Sequence, residues 1–212
     1  VLDSTPNSSV SAIVELGSGE LIVGGSFSSI GAIAASRIAR FNGSTWSALA
    51  AGTTTTCSCL DVTPGGELIA NGDTFVAAGG GIATRVARWN GSSWSAVAAG
   101  GTSGEVRAVA RLANGDVVVA GTLTAIGGVA VNRIARWNGN TWSALGNGLG
   151  SSPNAVVHAL AVLPNGDLVA GGEFTQVAGA PANHLARWNG SAWSALGGGT
   201  SAAVLALTTA SN

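Results

Sequence analysis

Residues 133–146 read RIARWNGNTWSALG. Two Trp flank an Asn-Gly pair, and Arg133 and Arg136 precede it. That density of aromatic and charged groups suits a binding site, and it suits a folding device equally well. Asn-Gly between strand-forming residues is a strong hairpin signal. The stretch also recurs, as RIARFNGSTWSAL from Arg37, RVARWNGSSWSAV from Arg85 and HLARWNGSAWSAL from His184. The starting positions 37, 85, 133 and 184 are 48, 48 and 51 residues apart. A period of this size marks a repeat architecture and outranks any local reading.

A second motif keeps step with the first: ELIVGGSF from Glu20, ELIANGDTF from Glu67, DVVVAGTL from Asp116 and DLVAGGEF from Asp167. Each unit therefore reads as four short strands. Strand a covers Val10 to Ile13, Cys57 to Leu60, Val106 to Val109 and Val157 to Leu160. Strand b is the apolar run ending in small residues, strand c ends in the ARWNG pattern, and strand d is WSAL or its equivalent. Asn42-Gly43, Asn90-Gly91, Asn138-Gly139 and Asn189-Gly190 are expected to turn c into d. Asn114-Gly115 and Asn165-Gly166 are expected to make the same kind of turn from a to b. No segment carries a helical period.

The fold class expected is all-β, a β-propeller of four-stranded antiparallel blades. A strand b that is apolar on both faces fits, since each blade is covered on both sides. The whole of 1–212 is read as one repeat domain, with units at about 2–48, 49–96, 97–145 and 146–196 and a surplus strand a at 203–209. Val1-Leu2 aligns with the end of a strand d. Three assemblies follow: a closed four-bladed monomer, an eight-bladed ring from two chains, or part of a larger propeller. The small side chains of the strands favour the larger ring, because four blades need bulky wedges. The partner expected is thus a second copy, in a homodimer that completes the ring.

The pattern of an apolar run ending in Gly-Gly, then an aromatic, a turn and a Trp resembles kelch repeats, specifically those of bacterial kelch-like proteins. LIVGG followed by RFNGSTW carries the likeness, which spans nearly the whole chain. Kelch repeats usually have Tyr before the turn, where this chain has Phe41, Trp89, Trp137 and Trp188. The resemblance implies a secreted or cell-surface bacterial protein. Copper radical oxidases built on kelch propellers use tyrosines, and this chain has none.

Composition narrows the function classes. Charged residues make up 9%, against about 25% in ordinary domains. All nine basic residues are Arg, and the net charge is -1. No basic stretch is present to neutralise phosphates, so nucleic acid is not an expected partner. No apolar run reaches the length of a membrane-spanning helix, and no signal-peptide pattern opens the chain. With no Met, the chain reads as a processed or trimmed product, or a piece of something longer.

The candidate chemistry is sparse. An Arg at the end of strand c (Arg40, Arg88, Arg136, Arg187) and an acid at the start of strand b (Glu20, Glu67, Asp116, Asp167) recur once per blade. Antiparallel order brings them to one edge, so one Arg–carboxylate contact per blade is expected. An anion-binding ring is the functional alternative. The seven Trp are expected to pack between blades; exposed, they would stack on sugars as in a propeller lectin. Cys57 and Cys59 fall in core slots of strand a and read as small buried hydrophobes. His158 and His184 have no neighbouring ligand set. The departures from symmetry (Cys57, Cys59, Asp73, His158, His184) are not expected to converge. Gly79-Gly80-Gly81 leads into neither a Lys nor a helix, so it implies no phosphate loop. The glycosylation sequons at Asn42, Asn90 and Asn189 are the hairpin turns themselves. The b–c connections, rich in Gly, Ala, Ser and Thr, read as spacers.

No catalytic, cofactor-binding or metal-ligating residue is assigned, and no cofactor is expected. The sequence leads to a non-enzymatic propeller scaffold or interaction module, self-assembling, with a carbohydrate-binding propeller as the alternative.

Overall fold

The computed structural model describes residues 5–209 apart from 64–65, 72–74, 77–81, 84, 98–100, 151 and 153. Val1, Leu2, Asp73 and the run from Gly79 to Gly81 lie outside the described residues. The chain forms two compact units, Val1–Gly101 and Thr102–Asn212. Each holds two four-stranded antiparallel sheets of order a-b-c-d.

In the first unit, blade 1 consists of Val10–Glu15, Leu21–Gly25, Ile38–Phe41 and Trp46–Ala48. Blade 2 consists of Leu60–Val62, Leu68–Asn71, Val86–Trp89 and Trp94–Ala96. In the second unit, blade 3 consists of Val106–Arg111, Val117–Gly121, Ile134–Trp137 and Trp142–Ala144. Blade 4 consists of Val157–Val162, Leu168–Gly172, Leu185–Trp188 and Trp193–Ala195. Strand b is the buried centre of each blade, from end to end in blades 2 to 4. That burial accounts for its unbroken apolar run. The core of the first unit gathers Ile22, Ile38, Leu49, Cys57, Leu68 and Trp94. That of the second includes Val118, Ile134, Leu145, Leu168, Phe174 and Trp193.

The turns depart from expectation in an informative way. Between c and d the aromatic pair closes the ladder, for example Trp137 opposite Trp142. The two central turn residues are then Gly139 and Asn140, not Asn138 and Gly139, since Asn138 N–H bonds Thr141 O at 3.3 Å. The glycine takes the first central position with φ of 94°, as in a II′ hairpin turn. The Asn stands one place earlier, and its Oδ1 accepts the N–H groups of Asn140 (3.0 Å) and Thr141 (2.8 Å). The a–b turns belong to another class. Leu112 N–H bonds Asp116 O and Gly115 N–H bonds Leu112 O, both at 2.9 Å, around a three-residue loop. Gly115, with φ of 91°, fills the left-handed position such loops require.

Three further expectations need correction. In blade 2, strand a begins only at Leu60. The Asn71 side chain accepts the Cys59 N–H there, standing in for a ladder bond. The segment 203–209 forms no strand. It nevertheless lies in a strand-a slot: Val204 N–H bonds Gly172 O at 3.2 Å, as Cys57 N–H bonds Gly25 O at 3.1 Å. The b–c connections are not spacers. Described examples fold into small ribbons such as Ser29–Ile30 with Ile33–Ala34. They also send Phe27, Ile30, Leu123, Ile126, Phe174 and Val177 into the core, each at most 2% exposed.

Candidate functional site

One feature recurs at the start of strand c. Arg37, Arg85, Arg133 and His184 all have positive φ, from 55° to 72°, a region non-glycine residues seldom occupy. The backbone there is held by cross-loop bonds such as Arg133 N–H to Leu123 O, 2.8 Å. Arg133, unassigned by the sequence, is buried, and Nη1 donates to the carbonyls of Thr122 (3.4 Å) and Leu123 (3.3 Å) while Nη2 reaches Ser152 O at 3.0 Å. It ties the b–c turn of blade 3 to the connection entering blade 4.

The Arg–acid contact is present in all four blades. Arg187 Nε donates to Asp167 Oδ2 at 2.6 Å, and Arg136 bonds Asp116 likewise. The shorter Asp is backed by an amide: Asn165 Nδ2 donates to Asp167 at 2.7 Å and Asn114 Nδ2 to Asp116 at 2.8 Å. With Glu in place of Asp the contact lengthens to an ion pair, 3.6 Å for Arg40–Glu20 and 3.5 Å for Arg88–Glu67.

The Trp residues pack as expected. Trp94, Trp142, Trp188 and Trp193 are buried and the other three half-buried. The aromatic pair of each c–d hairpin sits with centroids 5.0 to 5.5 Å apart, tilted, a favoured arrangement. Within each unit the strand-d Trp also joins blades. Trp193 Nε1 donates to Leu145 O at 2.8 Å, and Trp94 Nε1 reaches Leu49 O at 3.5 Å. Trp46 holds the same repeat position in blade 1, but its Nε1 is buried without an acceptor among the described residues.

Cys57 and Cys59 are free thiols. Burial pushes Cys57 from 9.0 up to about 12. Burial, then the neighbouring Cys57 and Asp61, pushes Cys59 up as well. The folded chain thus keeps protons that the unfolded chain releases above pH 9. Stability should fall as pH rises from about 9 to 12 through Cys57, by ~1.4 kcal/mol per unit, and Cys59 acts in the same direction. The chain has no Lys and no Tyr, so no other side chain of ordinary pKa titrates in that window. Urea midpoints at pH 8 and pH 10.5 test this. Returning both positions to the residues of blades 3 and 4, as Cys57→Val/Cys59→Ala, should flatten the slope; an unchanged slope refutes the assignment.

His158 is joined instead by charged residues that the sequence reading did not single out with it. Strand a carries a bulge in blades 1, 3 and 4, and the residue left out of the pairing is Ser11, Arg107 or His158. Arg107 Nε and Nη2 donate to Glu105 Oε2 at 3.0 and 2.8 Å. Arg107 Nη1 lies 3.5 Å from His158 Nδ1, and His158 Nε2 lies 2.8 Å from Glu173 Oε1. Glu173 borders a cleft of about 440 Å³ with Ser152, Asn154, Thr175 and Gln176. A second cleft, of about 230 Å³, shares Gly150 and Gln176 and adds Asn132 and Asn147. Glu173 escaped the sequence reading. Its signal was a carboxylate directly after the Gly-Gly of strand b, where blades 1 and 3 carry Ser26 and Thr122. His184 stays apart, its Nδ1 buried without a partner among the described residues. Among these residues no group of three or more His, Cys, Asp or Glu is placed to hold a metal ion.

A β-propeller domain of unknown function, DUF5122, matches residues 16–44 and 163–191. These are the same stretch of blades 1 and 4, from the a–b turn to the c–d turn. No curated protein sequence matches the chain. Among solved structures, virginiamycin B lyase from Staphylococcus aureus is similar over 92% of this chain and 57% of its own, with TM-score 0.54 and 10% identity. A candidate gluconolactonase is similar over 92% of this chain and 64% of its own, with TM-score 0.53 and 12% identity. The chain thus spans less than two thirds of these structures. At such identity the likeness is one of fold, and the fold is that of β-propeller blades.

Proposed function

We propose that the protein is a non-enzymatic, kelch-like propeller that serves as an interaction scaffold and associates with a second copy of itself. The observation that carries this reading is the docking face of blade 1. Blades 2 and 4 dock on their predecessors through an apolar strand a and an indole given to a strand-d carbonyl. Blade 1 has the same parts, and within the first unit no described residue receives them. Val10 and Ile13 of its strand a are 46% and 64% exposed, and Trp46 lacks an acceptor among the described residues. A buried donor without a partner costs about 1–3 kcal/mol, and exposed apolar faces drive association.

The matching carbonyl is that of Leu196. It accepts Gly199 N–H, as Leu49 O accepts Gly52 N–H and Leu145 O accepts Gly148 N–H, and it stands ready for an indole. A second copy's Leu196 would supply it. Docking would displace segment 203–209 from its slot on blade 4. The absence of enzymatic activity is supported by how the repeating chemistry is used: the recurring Arg and acids satisfy one another, and the Trp are packed.

Light scattering at micromolar concentration tests the reading. The expected mass is twice that of one chain, and Ile13→Glu should return it to one. A wild-type chain of monomeric mass overturns self-association.

A further inference from the structure

We infer that the cleft of the second unit bordered by Glu173 and Gln176 binds a neutral polyhydroxylated ligand of the saccharide class. The inference stands apart from self-association and rests on different residues.

The site begins with the strand-a bulge. A bulged residue leaves the ladder and its side chain is re-aimed. In blades 3 and 4 the bulge carries Arg107 and His158, while in blade 1 it carries Ser11. The row Glu105–Arg107–His158–Glu173 is therefore a property of one unit, not of the repeat. Within it the hydrogen bonds fix each role. The Arg107 guanidinium is held by Glu105, and its Nη1 faces His158 Nδ1. A donor facing Nδ1 requires that nitrogen to be bare, so the proton sits on Nε2 and is given to Glu173 Oε1. His158 thereby orients the carboxylate. The Glu173 side chain stays 48% exposed at the cleft, and its Oε2 has no partner among the described residues.

Charge decides the ligand class. Glu105 and Arg107 pair with each other, and the Glu173 carboxylate faces the cleft. No basic side chain lines either cleft, which disfavours phosphate or carboxylate ligands. The remaining polar walls are the amides of Asn154 and Gln176 and the hydroxyls of Ser152 and Thr175. An amide both donates and accepts, and a carboxylate accepts two bonds. That set matches vicinal hydroxyls, each of which donates and accepts. A simple ammonium ion could use the carboxylate but would leave the amide N–H groups unanswered. Phe174, the aromatic at the cleft, is 1% exposed and offers no face for stacking, so affinity in the millimolar range is expected.

The test is a titration of the ¹⁵N-labelled chain with methyl α-glucoside, methyl β-galactoside, methyl α-mannoside and methylammonium chloride. At least one glycoside should shift the backbone signals of Gly150, Glu173 and Gln176. Glu173→Gln should weaken that binding tenfold or more, and His158→Ala severalfold, while Glu15→Gln, in the other unit, leaves it unchanged. Chemical shifts elsewhere in the second unit confirm that the variants remain folded. No cleft shift with any glycoside, equal affinity of wild type and Glu173→Gln, or cleft binding of methylammonium alone would each overturn the inference.

Discussion

Trp193→Ala is expected to destabilise the second unit by ~3–5 kcal/mol, the range for emptying a buried aromatic site. Trp193 is 7% exposed, and its ring lies 5.5 Å from that of Trp188. Its indole crosses to Leu145 of the preceding blade, so alanine removes both a core side chain and a tie between blades. Urea unfolding followed by circular dichroism reads the loss. Phenylalanine separates the two contributions. Trp193→Phe keeps most of the ring and gives up the N–H, and should cost about 1 kcal/mol beyond the smaller volume. Trp46→Phe removes a donor that has no acceptor among the described residues, and should be near neutral in the monomer. Equal losses at the two positions would show that the indole N–H contributes nothing to the seam.

Gly172→Ala should be as damaging, by ~3 kcal/mol or more, through overcrowding of backbone against backbone. A Cβ there would lie 2.0 Å from Val156 O and 2.9 Å from Val157 Cα. The φ of Gly172 is not positive, so space and not conformation requires the glycine. Val156 O cannot retreat easily, because it accepts Glu173 N–H at 2.8 Å. Gly25 and Gly121 meet the same obstacle, 2.0 Å from Ser9 O and Glu105 O. The substitution should also disturb the Glu173–His158 contact, since both residues flank the crowded point. Gly190→Ala is the contrast. Its Cβ would meet nothing within 4 Å, and only its φ of +96° resists the change. A loss of ~1–3 kcal/mol is expected there. Thermal melts of the two variants check the order.

The blade was legible because its signals repeat. The apolar run of Val117 to Gly121 and the Arg136–Asp116 pairing each follow from period and antiparallel order alone. What escaped was local. Asn138-Gly139 announced a turn, but only the Asn138 N–H bond to Thr141 O shows that the pair is shifted by one residue. Small residues in the b–c connections hid Ile30, Ile126 and Val177, which the core needs. The Glu173–His158 contact escaped because a bulge is invisible in a sequence pattern, and only the bulge brings position 158 to the carboxylate.

The seam between blades has a direction. Within each unit the second blade offers an indole backwards and the first a carbonyl forwards, as Trp94 with Leu49 and Trp193 with Leu145 do. Because both halves of the contact are encoded in every repeat, a tandem duplication of one repeat at the DNA level yields a blade already matched to both neighbours. No compensating change need arise at the same time. Lineages built on this seam can therefore gain or lose whole repeats by unequal recombination, and blade number can vary faster than blade sequence.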